Sequence, residues 1–584
     1  MTSKLVPNPD PAIIFPFPTD PVASYFPLNR QQPTRDTFEV GLVLGGTVSA
    51  AAYTAGVVDF LIEALDAWTV GKNSGTLPFH QVSVKIATGT SGGAIMCTLL
   101  ARILGSAFPH ASHLTPAAER ALSPLYDCWV NQIDITDMLQ LTDLSAKVSS
   151  LLCAKKIDLV GETIAGYAGP PLGSNGTPAV RGYLDRQLPI ILTQTNLRGI
   201  PYSADFRGVS NRSEYFTDHA DHIRFLVDVT DQNPPTTWLP FEIPISAKAG
   251  GDVLPWSVMI HAARGSSAFP IGLPPQVISR NPQHYRYRYA IIDGKAQWLK
   301  PAWPYMIPIG SSSESLYQFL AVDGGCFNNE PISYARDWLE GIQGLRVDDG
   351  DQAHRALLLV DPFADIPDLG LVTDDGILSS AGGTLAAFTS GARYETADFD
   401  LFTADNVYSR FLVNPVRKTI ADVVLTGGDA IATNTLAAFG GFLSKAYREH
   451  DYLLGRRNCQ QFLRANFVLP EQNTLFNDWT RAQREQFATG NPTCLPIIPL
   501  APSISAEIPQ PMWPKGAFDP LSIKTLMSNR IGRLSDMASQ QFIGSQSFIK
   551  RFILKQVLSG AQDAAVNKVI NLITQSLKDA DLLA

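Results

Sequence analysis

Cysteine is scarce in this 584-residue chain, which contains six cysteines and no C-x-x-C pair. They are Cys97, Cys128, Cys153, Cys326, Cys459 and Cys494. This spacing argues against a zinc site and against a fold held by disulfides. We therefore expect reduced thiols in a cytoplasmic protein, with no metal and no cofactor.

The chain also lacks an excess of basic residues and a long apolar run. It has 46 Lys and Arg against 54 Asp and Glu, a net charge of −8, so we expect no nucleic-acid partner. No run of about 18 uninterrupted apolar residues occurs, and the first residues are not those of a secretory signal. We therefore expect no transmembrane helix. Hydrophobic residues make up 45%, which is enough for a large core.

Proline divides the chain into three predicted parts. Residues 1–36 are proline-rich and predict an extended arm, and residues 37–470 carry the regular patterns of a folded domain. Residues 471–584 predict a linker, proline-rich from Pro492 to Pro514, followed by a helical C-terminal extension with a break at Gly560.

The second part begins with alternating strand and helix patterns. Phe38–Leu44 and Val82–Ala87 are apolar runs typical of buried strands, and Ala50–Leu65 and Ala94–Leu104 have helical spacing. This order predicts a βαβ unit and an α/β fold.

Further along the same part, the patterns predict more strands and two helical regions. Apolar runs at 223–227, 319–322 and 356–360 predict strands. Residues 105–220 predict a mostly helical cap, and Ala430–Phe467 predicts helix.

The segment Gly89-Thr90-Ser91-Gly92-Gly93 is a G-x-S-x-G motif between a predicted strand and a predicted helix. A serine on such a turn is exposed as a nucleophile, and the following helix directs N–H groups toward negative charge. The alternative is an ordinary glycine-rich turn. The position between strand and helix favours catalysis.

The loop Gly45-Gly46-Thr47-Val48-Ser49 follows the first predicted strand. Its N–H groups could stabilise an oxyanion. One alternative is a plain strand-to-helix turn, and another is a dinucleotide-binding turn. The second alternative requires G-x-G-x-x-G and an acidic residue after the next strand, and the chain has neither.

The segment Val322-Asp323-Gly324-Gly325 ends a third apolar run. Asp323 would therefore lie at a strand end, where α/β sites assemble. Taken alone, this segment is more typical of a structural D-G turn than of a catalytic site.

Together these three blocks resemble the patatin-like phospholipase family. Ala263–Pro270 and Asn328–Pro331 are similar to further blocks of that family, so the resemblance covers about residues 38–365. It implies a three-layer α/β/α fold and a lipid acyl hydrolase. It also implies a Ser91–Asp323 dyad and an oxyanion hole formed by Gly45, Gly46, Thr47 and Gly92. The implied partners are a phospholipid or other lipid ester and, transiently, a membrane surface.

The chain departs from the family pattern at Ala50, where the family usually has an arginine. The positive charge is lost, although backbone donors remain and Thr47 or Ser49 could supply a hydroxyl. One alternative is therefore a catalytically weak or inactive lipid-binding protein, and another is an esterase or acyltransferase for small esters. The oligomeric state stays open.

Three further features leave alternatives. His261 precedes the block Ala263–Pro270, called the fourth block below, and could form a Ser–His–Asp triad with Ser91 and Asp323. Lys550, Arg551 and Lys555 lie in an amphipathic stretch that suits either a membrane surface or packing on the core. Arg456 and Arg457 suit either a phosphate head group or structural roles at a helix end or in carboxylate pairs.

Overall fold

The computed structural model describes residues 34–144, 147–174, 176–205, 213–229, 239, 241–247, 253–292, 295–299, 301–302, 316–340, 349–363, 408–490, 493–542 and 562–584. Most of the predicted arm, residues 1–33, lies outside these ranges. So does the segment 543–561, which contains the basic stretch with Lys550, Arg551 and Lys555 and the expected helix break at Gly560.

The strands of the described residues form one large sheet and three two-stranded ribbons. The strands are β1 Thr37–Leu44, β2 Gln81–Gly89, β3 Gln187–Asp205, β4 Ser213–Asp228, β5 Glu242–Ser246, β6 Gln276–Arg280, β7 Tyr289–Ile292, β8 Lys295–Trp298, β9 Tyr317–Val322, β10 Arg355–Val360, β11 Arg410–Val413, β12 Val416–Lys418, β13 Val424–Thr426, β14 Val468–Pro470 and β15 Cys494–Pro496.

The large sheet has the order β11-β10-β1-β2-β3-β4-β5, with β9 joined to β3 and β6 joined to β9. Neighbouring strands from β11 to β3 are parallel, as are β4 and β5. The pairs β3–β4, β3–β9 and β6–β9 are antiparallel. The expected α/β fold with a mostly parallel central sheet is confirmed.

The α-helices of more than five residues occur throughout the described chain. They are α1 Ala51–Asn73, α2 Gly92–Ile103, α3 Lys155–Gly166, α4 Val253–Ser266, α5 Ile332–Glu340, α6 Lys445–Ala465, α7 Arg481–Phe487, α8 Lys524–Phe542 and α9 Gln562–Asp579.

Alternate residues of β1 enter two separate cores. Leu42 and Leu44 belong to the cluster that includes residues of α1, α2 and α6, while Val43 packs with Ile332 and Leu339 of α5. Successive side chains of a strand point to opposite faces of a sheet. Helices therefore cover both faces, an arrangement compatible with three α/β/α layers.

The helices α1 and α6 cross at two glycines. A Cβ added to Gly56 would lie 1.9 Å from the Tyr452 carbonyl oxygen, and one added to Gly455 would lie 2.2 Å from that of Tyr53. Next to this crossing, Arg456 pairs with Asp59 and Glu63 of α1, so the carboxylate-pairing alternative for Arg456 is the one observed.

The predicted helical cap over residues 105–220 is wrong in its last third. From Gln187 the chain forms β3, which pairs with β4 as a long antiparallel hairpin. The solvent-facing half of β4, which contains Glu214 and Asp218, is too polar to give a strand signal. Between residues 105 and 186, α3 is the one described α-helix of more than five residues.

The proline-rich segment after residue 492 does not separate two units, as a linker would. Its β15 pairs with β14, and Ile497, Ile498 and Leu500 are buried in the main core. Farther on, α8 and α9 share a second cluster with Leu443 and Tyr447. Helix α6 begins only at Lys445, so the predicted helix over Ala430–Phe467 starts too early.

One segment of the described chain, Val48–Asn73, is long and apolar enough to span a membrane by length and composition. Within the fold, 89% of its most apolar window is buried, as expected for the central helix of a folded core.

Candidate active site

Ser91 occupies the sharp turn between β2 and α2. Its φ of 53° lies in the left-handed region, which is uncommon for any residue other than glycine. Two sets of hydrogen bonds hold this conformation. The Ser91 N–H donates to the Ser266 hydroxyl at 2.9 Å, and the Ser91 carbonyl accepts from Ala94 N–H at 3.0 Å. Backbone strain of this kind costs about 1–3 kcal/mol and persists where the surroundings enforce it.

The turn is too tightly packed for side chains at its glycines. A Cβ on Gly93 would lie 2.1 Å from the Leu44 carbonyl oxygen, and one on Gly89 would lie 2.4 Å from that of Gly93. The G-x-S-x-G spacing therefore reflects close backbone approach between β1 and the start of α2.

Asp323 directly follows β9 and accepts a hydrogen bond from the Ser91 hydroxyl. Ser91 Oγ donates to Asp323 Oδ2 at 2.9 Å, and the other carboxylate oxygen accepts from Gly325 N–H at 2.8 Å. The backbone of Asp323 is held from both sides: its N–H donates to the Ala268 carbonyl at 3.0 Å, and its carbonyl accepts from the Thr195 hydroxyl at 2.7 Å.

Both side chains of this pair are buried, with 5% of Ser91 and 7% of Asp323 exposed. Burial raises the pKa of Asp323 to about 6, and the hydrogen bonds from Gly325 and Ser91 act in the opposite direction. The carboxylate is therefore a stronger base than a free aspartate, yet it is mostly ionised at pH 7. This combination suits a general base for a serine hydroxyl.

No described histidine forms a hydrogen bond with Ser91 or Asp323. The Nδ1 atom of His261 contacts the Ser257 carbonyl oxygen of its own helix, α4, at 2.7 Å. The geometry brings Ser91 and Asp323 together without His261 and favours the dyad over the triad.

The predicted oxyanion loop lies beside Ser91. Some of its backbone N–H groups already donate hydrogen bonds within the protein, and others do not. The N–H of Gly45 donates to the Val360 carbonyl at 3.4 Å, and that of Gly46 donates to the Asn329 carbonyl at 3.0 Å. Both are therefore engaged, contrary to their predicted role as oxyanion donors. The N–H groups of Thr47, Val48 and Gly92 form no hydrogen bond with any described residue.

Two contacts show how closely the loop approaches the nucleophile. A Cβ on Gly46 would lie 3.4 Å from Ser91 Cβ, and one on Gly92 would lie 2.7 Å from Thr47 Oγ1. Val48 has a φ of 46°, a strained value for a β-branched residue. This left-handed residue turns the loop at the point where the N–H groups, those of Thr47 and Val48, have no acceptor among the described residues.

No protein-family model matches the chain. The uncharacterized protein y4iI of Sinorhizobium fredii is 30% identical over 531 residues, which cover 82% of this chain and 73% of that protein. The chain belongs to the family of y4iI. The description of that relative states no activity, so the chemistry has to be inferred from the residues of the site.

In this member of the y4iI family, residues 436–441 pack on the predicted oxyanion loop. We call them the covering segment, and part of their backbone is strained. Leu436, Ala437 and Ala438 have φ values of 57°, 52° and 69°. The N–H and hydroxyl of Ser49 both donate to the Ala438 carbonyl, the former at 3.2 Å. Ser49 Oγ also accepts from Gly441 N–H at 3.0 Å, so its hydroxyl both donates and accepts in this attachment.

The covering segment also contacts the fourth block and the C-terminal helices. The rings of Phe439 and Phe269 meet edge to face, with centroids 5.4 Å apart. Leu436 N–H donates to the Ser576 hydroxyl of α9 at 3.1 Å. Ala50, at the position where the patatin-like family usually has an arginine, is fully buried.

Sequence reasoning assigned no role to two residues that hold Ser91 and the neighbouring glycine loop in place. Ser266 accepts the Ser91 N–H, and Asn329 accepts the Gly46 N–H. Both lie in blocks that resemble the patatin-like family, which is the signal that could have marked them. The described residues contain no cluster of metal-ligating side chains.

Proposed function

We propose that this protein is a lipid acyl hydrolase that cleaves carboxylic ester bonds through an acyl-enzyme on Ser91. The observation that carries the proposal is the 2.9 Å hydrogen bond from Ser91 Oγ, on a strained strand-to-helix turn, to the buried Asp323 carboxylate. The largely parallel sheet with helices on both faces and the order of the blocks support a patatin-like arrangement. In that arrangement, α8 and α9 form a helical C-terminal extension.

The two residues perform both halves of the reaction. Ser91 Oγ attacks the ester carbonyl carbon while its proton passes to Asp323, and the leaving alcohol takes the proton when the tetrahedral intermediate collapses. Asp323 then removes a proton from water, which attacks the acyl-enzyme and releases the carboxylic acid. The oxyanion accepts hydrogen bonds from the N–H groups of Gly92 and Thr47.

The surface beside Asp323 supports a lipid substrate. Leu320, on the strand β9 that Asp323 directly follows, is 43% exposed, and Val277 lies opposite it and is 45% exposed. Ile271, three residues after Ala268, is 68% exposed. Exposed apolar groups of this kind suit transient contact with a membrane surface, so we propose a cytoplasmic protein that acts at the periphery of membranes.

A substrate panel tests this proposal. Release of fatty acid from phosphatidylcholine vesicles and triacylglycerol emulsion is compared with hydrolysis of short p-nitrophenyl esters, for the wild type, Ser91→Ala, Asp323→Ala and His261→Ala. We expect turnover of long-chain esters that is lost in the first two variants and kept in His261→Ala. Turnover confined to short esters would instead assign a small-ester esterase.

A catalytically weak lipid-binding protein is the second candidate. It is favoured by the bond between Gly46 N–H and the Asn329 carbonyl, which removes one expected oxyanion donor. Flotation with phosphatidylcholine vesicles, without hydrolysis of any ester in the panel, would support this candidate over the hydrolase.

A further inference from the structure

The hydroxyl of Thr47 is fully buried and has no hydrogen-bond partner among the described residues. An unpaired buried hydroxyl costs about 1–3 kcal/mol, and valine would fill the same space without that cost. No described residue offsets this cost for Thr47, so its hydroxyl hydrogen is available to a bound group.

The position of this hydroxyl identifies the partner. Thr47 Oγ1 would lie 2.7 Å from a Cβ on Gly92, the residue that follows the nucleophile. The N–H groups of Gly92 and Thr47 are likewise without described acceptors. Three unpaired donors therefore lie together beside Ser91, and no acceptor among the described residues satisfies them.

The other hydroxyl of the loop is not available. Ser49 donates to the Ala438 carbonyl and accepts from Gly441 N–H, so it ties the loop to the covering segment. The arginine position is filled by the buried Ala50, which offers no charge. Thr47 is thus the one side-chain donor in the segment Gly45–Ala50 with an unused hydrogen.

We propose that Thr47 Oγ1 donates a hydrogen bond to the oxyanion formed when Ser91 attacks an ester, together with the N–H groups of Gly92 and Thr47. This role rests on the proposed function. The Ser91 Oγ–carbon bond forms, the carbonyl π electrons move to oxygen, and Asp323 takes the serine proton. The Thr47 hydroxyl keeps its own proton and stabilises the charge. Loss of one such donor typically lowers kcat by roughly 100-fold or more.

Steady-state hydrolysis of a p-nitrophenyl ester by the full chain tests this role. Thr47→Val keeps the shape and removes the hydroxyl, and Thr47→Ser keeps the hydroxyl. Thr54→Val in α1 is the matched control, since Thr54 Oγ1 is also buried and unpaired. We expect Thr47→Val to lower kcat about 100-fold with little change in KM, while Thr47→Ser and Thr54→Val stay within a few-fold of the wild type.

Thermal unfolding of the same variants provides a second readout. Thr47→Val removes an unpaired buried polar group, so its melting temperature should equal or exceed that of the wild type while kcat falls. A Thr47→Val variant with wild-type kcat, or a Thr47→Ser variant as impaired as Thr47→Val, would overturn the role of the hydroxyl. A wild type without turnover would instead overturn the proposed function, and this inference with it.

Discussion

The N–H of Ser91 donates a hydrogen bond to the hydroxyl of Ser266 at the end of α4, with 2.9 Å between nitrogen and oxygen. This bond joins the nucleophile turn to the block that also holds the backbone of Asp323 through Ala268. Ser91 and Asp323 are therefore both positioned by one segment, although they lie far apart in the sequence.

Removal of that hydroxyl should impair catalysis. Ser266→Ala leaves a buried N–H unpaired at a strained residue, which costs about 1–3 kcal/mol. We expect a roughly tenfold lower kcat/KM for ester hydrolysis, since about 1.4 kcal/mol corresponds to tenfold in rate. Ser267→Ala is the control, because among the described residues the Ser267 hydroxyl bonds only the Arg264 carbonyl of α4. Equal rates for the two variants would contradict the positioning role of Ser266.

The pH dependence of ester hydrolysis should follow the ionisation of Asp323. Burial raises its pKa to about 6, and only the carboxylate can accept the serine proton. We expect kcat/KM for an uncharged ester to be level above pH 7 and to fall about tenfold per unit below pH 6. A profile that stays level down to pH 4.5 would show that the base is not this carboxyl group.

The same pKa predicts how stability changes with pH. The folded-state pKa of Asp323 lies above its unfolded value, so the protonated form is favoured by folding. Its stabilising contribution is complete below about pH 4 and is lost as the pH rises through about 6.

Asp323→Asn should therefore be more stable than the wild type at pH 7.5, by about 3 kcal/mol, with the difference shrinking toward pH 4. Thermal unfolding at the two pH values measures this. A constant difference between the two proteins at both pH values would contradict the raised pKa.

The covering segment predicts a stabilising glycine substitution. Ala437 is exposed with a φ of 52°, a conformation that is about 1–2 kcal/mol less favourable for alanine than the right-handed one. Glycine avoids this strain but loses about 0.5–1 kcal/mol in chain entropy, so Ala437→Gly should raise the free energy of unfolding by up to about 1 kcal/mol. Ala67→Gly, in the interior of α1, should lower it by about 1 kcal/mol. Destabilisation by both substitutions would show that Ala437 is unstrained.

Local patterns predicted the parts of the fold that depend on local chemistry. The apolar runs of β1 and β2 and the turn at Ser91 were placed within one or two residues, because buried parallel strands and close glycine packing leave direct traces in the sequence. The contact between Ser91 and Asp323 was predicted from the family resemblance that the blocks carry together, because neither segment alone identifies its partner.

Long-range contacts explain what could not be predicted. The hairpin β3–β4 is stabilised by cross-strand pairing, and the polar half of β4 lacks the apolar pattern that would predict a strand. The engagement of Gly46 N–H by Asn329 joins residues 283 positions apart, and no pattern around Gly46 indicates it. The proline-rich segment after residue 492 was predicted to be a linker from its composition. Its burial depends on distant residues, namely β14 and His80, which contacts the Ile497 carbonyl.

Mass spectrometry of the chain after reaction with a fluorophosphonate ester tests the central claim most directly. The account predicts one covalent adduct, on the peptide that contains Ser91, absent in Ser91→Ala and formed far more slowly in Asp323→Ala. An adduct on another residue, or labelling of Asp323→Ala at the wild-type rate, would contradict the Ser91–Asp323 dyad.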